Sequence, residues 1–326
     1  MLSRQELYAS AMRTVCARRQ EARARAQEAR TAAEAAIPGL QQAETAFREA
    51  GIRTAMTAAQ GGDVAAAQAQ LHECRSRIEA LLRQSGRAPN ALEPKFTCPI
   101  CQDTGSDGGR TCRCVQALMR GMRREEIEAA SSLSIASFDS MKADYYPDVQ
   151  DPITKQNVRA YMRALLGDLR EYAETFGPDS ANLLLIGNAG LGKTHAALAI
   201  AGTVLEKGYD VLYLSSPDLF SRLEGYHFGS MAGSEEDLMS AVRETDLLIL
   251  DDLGTEMVSP FVISVFYTLL NDRMASRRAT IFTSNITDDN VLEKRYTEKI
   301  ASRLAGSCEP FVFLGTDIRL LKAQEG

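Results

Sequence analysis

The chain of 326 residues contains no tryptophan and only three histidines, and aromatic residues make up 6% of it. It also lacks any apolar stretch of roughly eighteen or more residues, the length that a membrane-spanning helix needs. The first residues, MLSRQELYASAMRTV, are charged and have no apolar core of the kind that a signal peptide contains. We therefore expect a cytoplasmic protein that makes no contact with a membrane.

The chain also lacks an excess of basic residues, since its net charge is −6. The charge is unevenly distributed: residues 1–95 hold 14 lysines and arginines against 10 acidic residues, whereas the remainder holds 23 against 33. A basic front and an acidic back predict different partners for the two parts of the chain.

Seven cysteines are present, and four of them lie close together, at Cys98, Cys101, Cys112 and Cys114. An odd total with such crowding favours a metal site over disulfides. The first pair has ordinary zinc spacing and the second is tighter, and no histidine lies in the segment to replace a thiolate. Four thiolates leave no open coordination position, so we expect a structural Zn²⁺ rather than a chance cluster of reduced thiols.

The front of the chain is rich in alanine, arginine, glutamate and glutamine, which predicts helices over 3–36, 40–59 and about 63–84. Their apolar face is thin and mostly alanine. We expect this region either to need a partner chain or a neighbouring domain, or to form a solvated coiled coil.

The back of the chain alternates short apolar strands with helices, which is typical of an α/β fold with a parallel sheet covered by helices on both faces. An amphipathic helix is predicted over 152–176, after an ordered, non-helical segment over 137–148. The strands are predicted at 182–187, 210–215, 246–251, 279–284 and 310–314. The helices are predicted at about 192–206, 217–224, 235–244, 259–276 and 288–305, with a mobile insert over 225–234.

The composition predicts three parts: a helical partner-binding region over 1–90, a zinc module with its following helix over 91–130, and an α/β domain over 131–326. A polar linker with two prolines separates the first two parts.

The most specific motif follows the first predicted strand of the α/β domain. The pattern G-x-x-x-x-G-K-S/T lies between an apolar run and an alanine-rich helix, the context that a phosphate-binding loop needs. Its residues are Gly187, Asn188, Ala189, Gly190, Leu191, Gly192, Lys193 and Thr194. Lys193 is expected to neutralise the β- and γ-phosphates of ATP, and Thr194 to bind Mg²⁺ through its hydroxyl. A glycine-rich turn with a chance lysine is the alternative.

Two further strands of the predicted sheet end in polar side chains. Asp251 and Asp252 follow the apolar run LLIL, so we expect Asp251 to help hold Mg²⁺ and Asp252 to orient or deprotonate the attacking water. Asn285 ends the strand TIFTSN. The residues alone leave two roles open for it, contact with that water or the γ-phosphate, and capping of the next helix.

Together, GNAGLGKTHAALAIA, DLLILDDLG, TSN and KIASRLAG resemble the AAA+ ATPases of the DnaC/DnaI helicase-loader group, which are relatives of DnaA. The resemblance covers about 131–326, and the segment CPICQDTG…CRC is similar to the zinc module of DnaI-like loaders. It implies an AAA+ P-loop ATPase that hydrolyses ATP at subunit interfaces.

The resemblance also implies roles for single residues. Asn285 falls at the sensor 1 position of the family. Arg303, in SRLAG, matches the arginine finger that reaches the ATP of a neighbouring subunit, so it implies a homo-oligomer. Arg319, in GTDIR, falls near a sensor 2 arginine.

The implied partners are a DnaB-type replicative helicase and single-stranded DNA. Aromatic and basic residues after the second strand of the α/β domain are candidates for DNA contact, with an ordinary loop as the alternative. They are Phe220, Arg222, Tyr226, His227 and Phe228. An IstB-like helper ATPase of a transposition system and a nucleotide-gated binding protein with little turnover are the alternative functions.

Overall fold

A computed structural model describes residues 2–131 and 133–319 of the chain. The chain forms two compact units, one over residues 11–115 and one from the described residues of 1–10 and 116–326. The predicted boundaries of the three parts stay a prediction. None of the helices in the described residues combines the length and the apolarity that crossing a membrane requires.

The unit over residues 11–115 contains most of a long helix and two shorter ones. These helices are α1 (Arg4–Ala36), α2 (Leu40–Ala59) and α3 (Val64–Gln84). Gly39, with φ of 82°, separates α1 from α2, and the Asp63 carboxylate accepts a hydrogen bond from the Ala66 N–H to cap α3. The predicted helices are therefore confirmed.

The apolar core of this helical unit is small. One cluster consists of Ala33, Ile37, Leu40, Leu82 and Leu92, and most of the other buried apolar side chains of this unit outside the cysteine cluster are alanines. The predicted thin face is visible on α2, where two of its apolar side chains, one turn apart, are 58% and 55% exposed. They are Ile52 and Met56.

A short antiparallel hairpin, β1 (Ser106–Asp107) and β2 (Arg110–Thr111), lies between the two pairs of cysteines. Gly108 and Gly109 have φ of 55° and 80°, the conformation that a tight two-residue hairpin turn requires. The helix α4 (Arg113–Ser131) follows.

The larger unit is built on a five-stranded sheet in which every pairing is parallel. Its strands are β3 (Asn182–Ile186), β4 (Val211–Ser215), β5 (Leu247–Leu253), β6 (Ala279–Ser284) and β7 (Cys308–Val312). The order is β4-β5-β6-β3-β7, so β6 and β7 flank β3, which comes first of these five strands along the chain. The carboxyl ends of β3, β5 and β6 therefore meet at one edge of the sheet.

Helices complete the larger unit. They are α5 (Val158–Thr175), α6 (Lys193–Glu206), α7 (Ser216–His227), α8 (Glu235–Glu244), α9 (Pro260–Ala275), α10 (Asp289–Tyr296) and α11 (Glu298–Ser307). Alternate residues of β5 enter two different apolar clusters: Leu247 and Ile249 belong to one, Leu248 and Leu250 to the other. This period of two shows that both faces of the sheet are buried, and it confirms the predicted α/β class.

Two predicted segments before the sheet differ from the structure. The helix predicted from residue 152 begins at Val158, because residues 150–157 form a turn in which Lys155 has φ of 60° and Gln150 pairs with Asn157. The segment 137–148 was predicted as non-helical, but it contains two 3₁₀ turns, Phe138–Ser140 and Ala143–Tyr145.

Two later predictions also need correction. The helix predicted over 288–305 is two helices, because Thr297 has φ of 86° and ends α10 before α11 begins. The insert predicted over 225–234 begins later, since α7 continues to His227.

Candidate nucleotide site and candidate metal centre

The predicted phosphate loop connects β3 to α6 at the carboxyl edge of the sheet. Gly187 has φ of 148°, and a Cβ atom there would lie 2.5 Å from the Phe313 carbonyl oxygen. At Gly190, with φ of 77°, a Cβ would lie 1.9 Å from Asp317 Oδ1. Only glycine fits at these two positions, and the loop then delivers the amino terminus of α6 with its positive dipole.

Lys193 is the first residue of α6, and it is only 5% exposed. Its Nζ donates hydrogen bonds to the carbonyl oxygens of Gly187 and Asn188, at 2.7 and 2.8 Å, and to Asn285 Oδ1 at 2.8 Å. Burial lowers the pKa of Lys193 to about 8, although Asp252 and Asp251 act in the opposite direction. The ammonium group thus lies between the loop and the predicted sensor residue.

The Asp251 carboxylate accepts hydrogen bonds from three hydroxyl groups. Thr194 Oγ1 lies 3.0 Å and Thr283 Oγ1 2.6 Å from Asp251 Oδ1, and Tyr213 Oη lies 2.7 Å from Oδ2. Asp251 is 3% exposed, so its orientation is fixed by these donors. A carboxylate beside a threonine hydroxyl is a hard oxygen donor set, which fits Mg²⁺.

Asp252 follows at an irregularity in the pairing of β5 with β6, between Leu250 and Leu253. Its φ is 57°, and its N–H donates to Thr283 Oγ1 at 2.9 Å. Burial and the charge of Asp251 raise the pKa of the Asp252 carboxyl, while Lys193 and Arg319 counteract them. A carboxyl group with a raised pKa suits a general base better than an ordinary one.

A cavity of about 450 Å³ opens beside the phosphate loop. It is lined by Leu133, Ser140, Met141, Lys142, Tyr145, Tyr146, Leu166, Ala189, Gly190, Gly192, Lys193, Thr194, His195, Asp252, Asn285, Ile318 and Arg319. Its volume suits a nucleotide-sized ligand. The apolar residues before α5 form one wall, and Tyr146 Oη is joined to the loop by a hydrogen bond of 2.9 Å to the Leu191 carbonyl oxygen.

The structure thus brings most of the predicted nucleotide-site residues together. Lys193, Thr194, Asp252, Asn285 and Arg319 line the cavity, and Asp251 lies behind Thr194. Arg303 is not among the lining residues. It lies on α11, where its Nη2 donates to Tyr267 Oη at 3.0 Å.

The four cysteines of the predicted metal site form one cluster in the unit over residues 11–115. All four sulfur atoms lie within 4.8 Å of one another, with Cys98 and Cys112 at 3.8 Å and Cys101 and Cys114 at 3.5 Å. Zn–S bonds of about 2.3 Å in a tetrahedron place sulfur atoms roughly 3.8 Å apart. The cluster therefore fits Zn²⁺ as a closed, structural centre.

A buried carboxylate shapes the first cysteine pair. Asp103 is 1% exposed and accepts hydrogen bonds from the N–H groups of Thr97 and Cys98, at 2.7 and 2.9 Å. Gln102 and Asp103 have φ of 50° and 53°, which folds the chain back after Cys101. The turn and the hydrogen bonds of the Asp103 carboxylate to the backbone thus fix the separation of Cys98 and Cys101.

The candidate DNA-contacting residues divide into exposed and buried ones. Phe220 is 1% exposed and packs in the core, so the prediction that it contacts DNA is wrong. Phe228 is 69% exposed and lies in an aromatic cluster with His227 and Phe261, whose ring centroids are 4.6–5.8 Å apart. Arg222 forms an ion pair with Asp218 at 3.0 Å.

Sequence reasoning missed four residues that the structure places at these sites. Tyr213 and Thr283 orient Asp251, Tyr146 supports the phosphate loop, and Phe261 completes the aromatic cluster. Tyr213 could have been found as the aromatic residue in the aliphatic strand VLYLS. Phe261 gave no signal, because it lies on α9, whereas His227 and Phe228 lie at the end of α7.

Comparison with known proteins matches residues 160–321 to the family described as IstB-like ATP binding protein. The replicative helicase loader DnaC of Buchnera aphidicola (subsp. Schizaphis graminum) is 28% identical over 142 residues, covering 44% of this chain and 57% of that protein. The replicative helicase loader DnaI of Bacillus subtilis is 30% identical over 179 residues, covering 53% of this chain and 54% of that protein.

A crystal structure of the DnaC helicase loader is 26% identical, with a TM-score of 0.43, and covers 52% of this chain and 99% of that chain. The matches span little more than half the length of the two relatives. The α/β part of this chain thus belongs to the family of IstB-like ATP-binding proteins, and it is similar in sequence to the replicative helicase loaders DnaC and DnaI.

Proposed function

We propose that this protein is an ATP-dependent loader of a DnaB-type replicative helicase, which helps to place that helicase on single-stranded DNA. The observation that carries the proposal is the convergence of Lys193, Asp252 and Asn285 on one nucleotide-sized cavity, in a domain whose relatives are named replicative helicase loaders.

ATP is the proposed ligand of the cavity. Lys193 would bind the terminal phosphates, and Thr194 with Asp251 would hold Mg²⁺, which neutralises phosphate charge when it is bound. The apolar wall before α5 would receive the base. Asn285 would position the attacking water, and Asp252, with its raised pKa, would accept the proton from it.

Hydrolysis would need a second copy of the chain. Arg303 does not line the cavity beside its own phosphate loop, so its positive charge would stabilise the transferring phosphoryl group of ATP bound to a neighbour. The active form is therefore proposed to be a homo-oligomer, formed through the AAA+ domain.

The helical front is the proposed contact for the helicase. Ile52 and Met56 lie one turn apart on α2 and are more than half exposed, so they offer apolar area to a partner. Four thiolates that hold Zn²⁺ would stabilise the segment that follows this front. The role of zinc would be structural, without a part in catalysis.

Single-stranded DNA is the proposed second partner, and the cluster of His227, Phe228 and Phe261 is the proposed stacking surface. Phe228→Ala should weaken the binding of a fluorescent oligonucleotide about tenfold, since stacking contributes ~1–3 kcal/mol per base. Val291→Ala, at an exposed apolar site on α10, is the control. Equal affinity of the two variants would remove the stacking role.

The best test of the loader function is capture from an extract of the native cells by the full-length chain with ATP. Recovery of the hexameric helicase is expected, together with its loss on the double change Ile52→Glu and Met56→Glu at unchanged ATP affinity. Recovery of a transposase instead would support the helper ATPase of a transposition system, which the IstB-like family match also favours.

A purified protein that binds ATP without Mg²⁺-dependent hydrolysis would support the third alternative, a nucleotide-gated binding protein. The presence of both Asp251 and Asp252 at the site argues against it. In the same assay, Lys193→Ala should abolish both binding and hydrolysis.

A further inference from the structure

The surroundings of Arg303 single out one tyrosine. Arg303 lies on α11, and Tyr267 lies on α9, so the contact joins two helices. Arg303 Nη2 donates to Tyr267 Oη at 3.0 Å, and the guanidinium carbon lies 4.9 Å from the centroid of the Tyr267 ring. A hydrogen bond and a cation–π contact with the same side chain together restrict where the guanidinium can point.

No carboxylate of the described residues lies within 4.0 Å of the Arg303 guanidinium, whereas Arg222 and Arg243 pair with Asp218 and Asp272 at 3.0 and 2.7 Å. A phenol is a neutral acceptor, so it orients the guanidinium without cancelling its charge. A carboxylate in its place would compete with any anion that approached. The charge of Arg303 stays available for an external phosphate.

A second polar side chain of the same helix lies beside the Tyr267 hydroxyl. Asn271 is one turn further along α9, and Arg303 and Asn271 together lower the pKa of that phenol. Tyr267 is half-buried, while its neighbour Phe266 is fully buried in the core. The core therefore fixes α9 through Phe266 and leaves Tyr267 at the surface beside Arg303.

We propose that Tyr267 is the positioning residue for Arg303, holding its guanidinium in the orientation that meets the terminal phosphate of ATP bound to a second copy of this chain. The inference rests on the proposed function, in which Arg303 acts on a neighbouring subunit. It adds a residue that has no contact with the cavity of its own chain.

The test uses mixed oligomers of full-length chains. A Lys193→Ala subunit has a damaged nucleotide site and an intact Arg303, and an Arg303→Ala subunit has the opposite defect. A mixture of these two variants should regain ATPase activity that neither has alone, since an intact site can then face an intact arginine. Without that recovery, both the shared site of the proposed function and the role of Tyr267 are overturned.

Tyr267→Ala is then examined in the same way. We expect its kcat to fall about tenfold or more at unchanged ATP affinity, since small misplacements of a catalytic group cost rate rather than binding. Mixing it with Lys193→Ala should restore activity, and mixing it with Arg303→Ala should not. A purely structural role of Tyr267 would not produce this difference between the two mixtures.

Tyr267→Phe keeps the ring and removes the hydroxyl, so its kcat should lie between those of Tyr267→Ala and the parent. Thr268→Ala, at the next and exposed position of α9, is the control that should keep parental kcat. Suppose that the mixture of Lys193→Ala with Arg303→Ala regains activity. A parental kcat of Tyr267→Ala would then overturn only this inference, and so would a loss of activity that Lys193→Ala subunits do not restore. If Tyr267→Ala does not fold, a parental kcat of Tyr267→Phe overturns it.

Discussion

At the scale of single residues, the nucleotide site depends on how burial changes charge. Lys193 has a pKa of about 8 because its ammonium is almost fully removed from water. A phosphate can be neutralised only by the protonated form. The affinity for ATP should therefore be constant below about pH 8 and should fall as the pH rises through that value.

One proton is linked to binding, so affinity should drop about tenfold between pH 7 and pH 9. Isothermal titration of ATP at several pH values measures this drop. A guanidinium does not deprotonate in this range, so Lys193→Arg should bind with a flat profile, whatever its affinity. A parent profile that is equally flat to pH 9 would contradict the shifted pKa.

Asp251 supplies a second prediction at this scale. Tyr213→Phe removes one of its three hydroxyl donors while the ring stays in place. Loss of a partner that orients a metal ligand typically lowers metal affinity about 10–100-fold. We therefore expect the Mg²⁺ concentration that supports half-maximal ATP binding to rise at least about tenfold. Tyr172→Phe is the control, since that hydroxyl is partly buried but donates to the Ala181 carbonyl oxygen instead. Equal effects of the two variants would exclude an orienting role.

The sequence predicts the residues of the site that carry charge, because phosphate loops and acidic strand ends have fixed spacing. It does not predict Tyr213 or Tyr267, because each acts through contact with a different element. Nor does it separate Phe220 from Phe228. Both lie in one aromatic-rich stretch, and only the packing of α7 decides that the first is buried and the second exposed.

At the scale of helices and strands, the sequence predicts where apolar runs lie better than where backbone breaks occur. The predicted helix over 288–305 has no glycine or proline at its break. The break lies at Thr297, a β-branched residue with φ of 86° and ψ of 151°. Tertiary packing of Tyr296 and Ile300, both fully buried, imposes this conformation on a residue that disfavours it.

A glycine at position 297 would adopt these angles without a steric clash. We therefore expect Thr297→Gly to raise the free energy of unfolding by ~1 kcal/mol, as relief of backbone strain exceeds the larger entropy of an unfolded glycine. Urea unfolding measures the difference. Thr268→Gly, in the interior of α9, should instead lower stability by ~0.3–0.5 kcal/mol. If both variants lose stability equally, Thr297 is not strained.

At the scale of the whole molecule, each of the two compact units contains apolar clusters of its own. The cysteine cluster belongs to the unit over residues 11–115, whose apolar core is small, and the nucleotide site belongs to the other unit. A small core gives little hydrophobic stabilisation, and metal binding then contributes a larger share of the folding free energy. The sequence predicts both the zinc site and the thin apolar face of the helices before it, and the structure adds which few apolar residues form the core.

Removal of zinc should therefore act on the two units differently. A chelator that binds Zn²⁺ much more tightly than Mg²⁺ should lower the thermal midpoint of the unit over residues 11–115, and Cys98→Ser should do the same. ATP affinity should change less than about twofold, because no residue that lines the nucleotide cavity is a cysteine ligand. Metal analysis, calorimetry and ATP titration on the same sample give the three readouts.

Cys308→Ser is the matched control, since Cys308 is buried in the apolar core of the other unit and is not one of the four clustered thiols. It should retain the zinc of the parent, whereas Cys98→Ser should lose it. Zinc content of zero in the reduced parent would refute the metal centre outright. Loss of ATP binding on chelation would show instead that the two units depend on each other for folding, because the chelator removes no group from the nucleotide site itself.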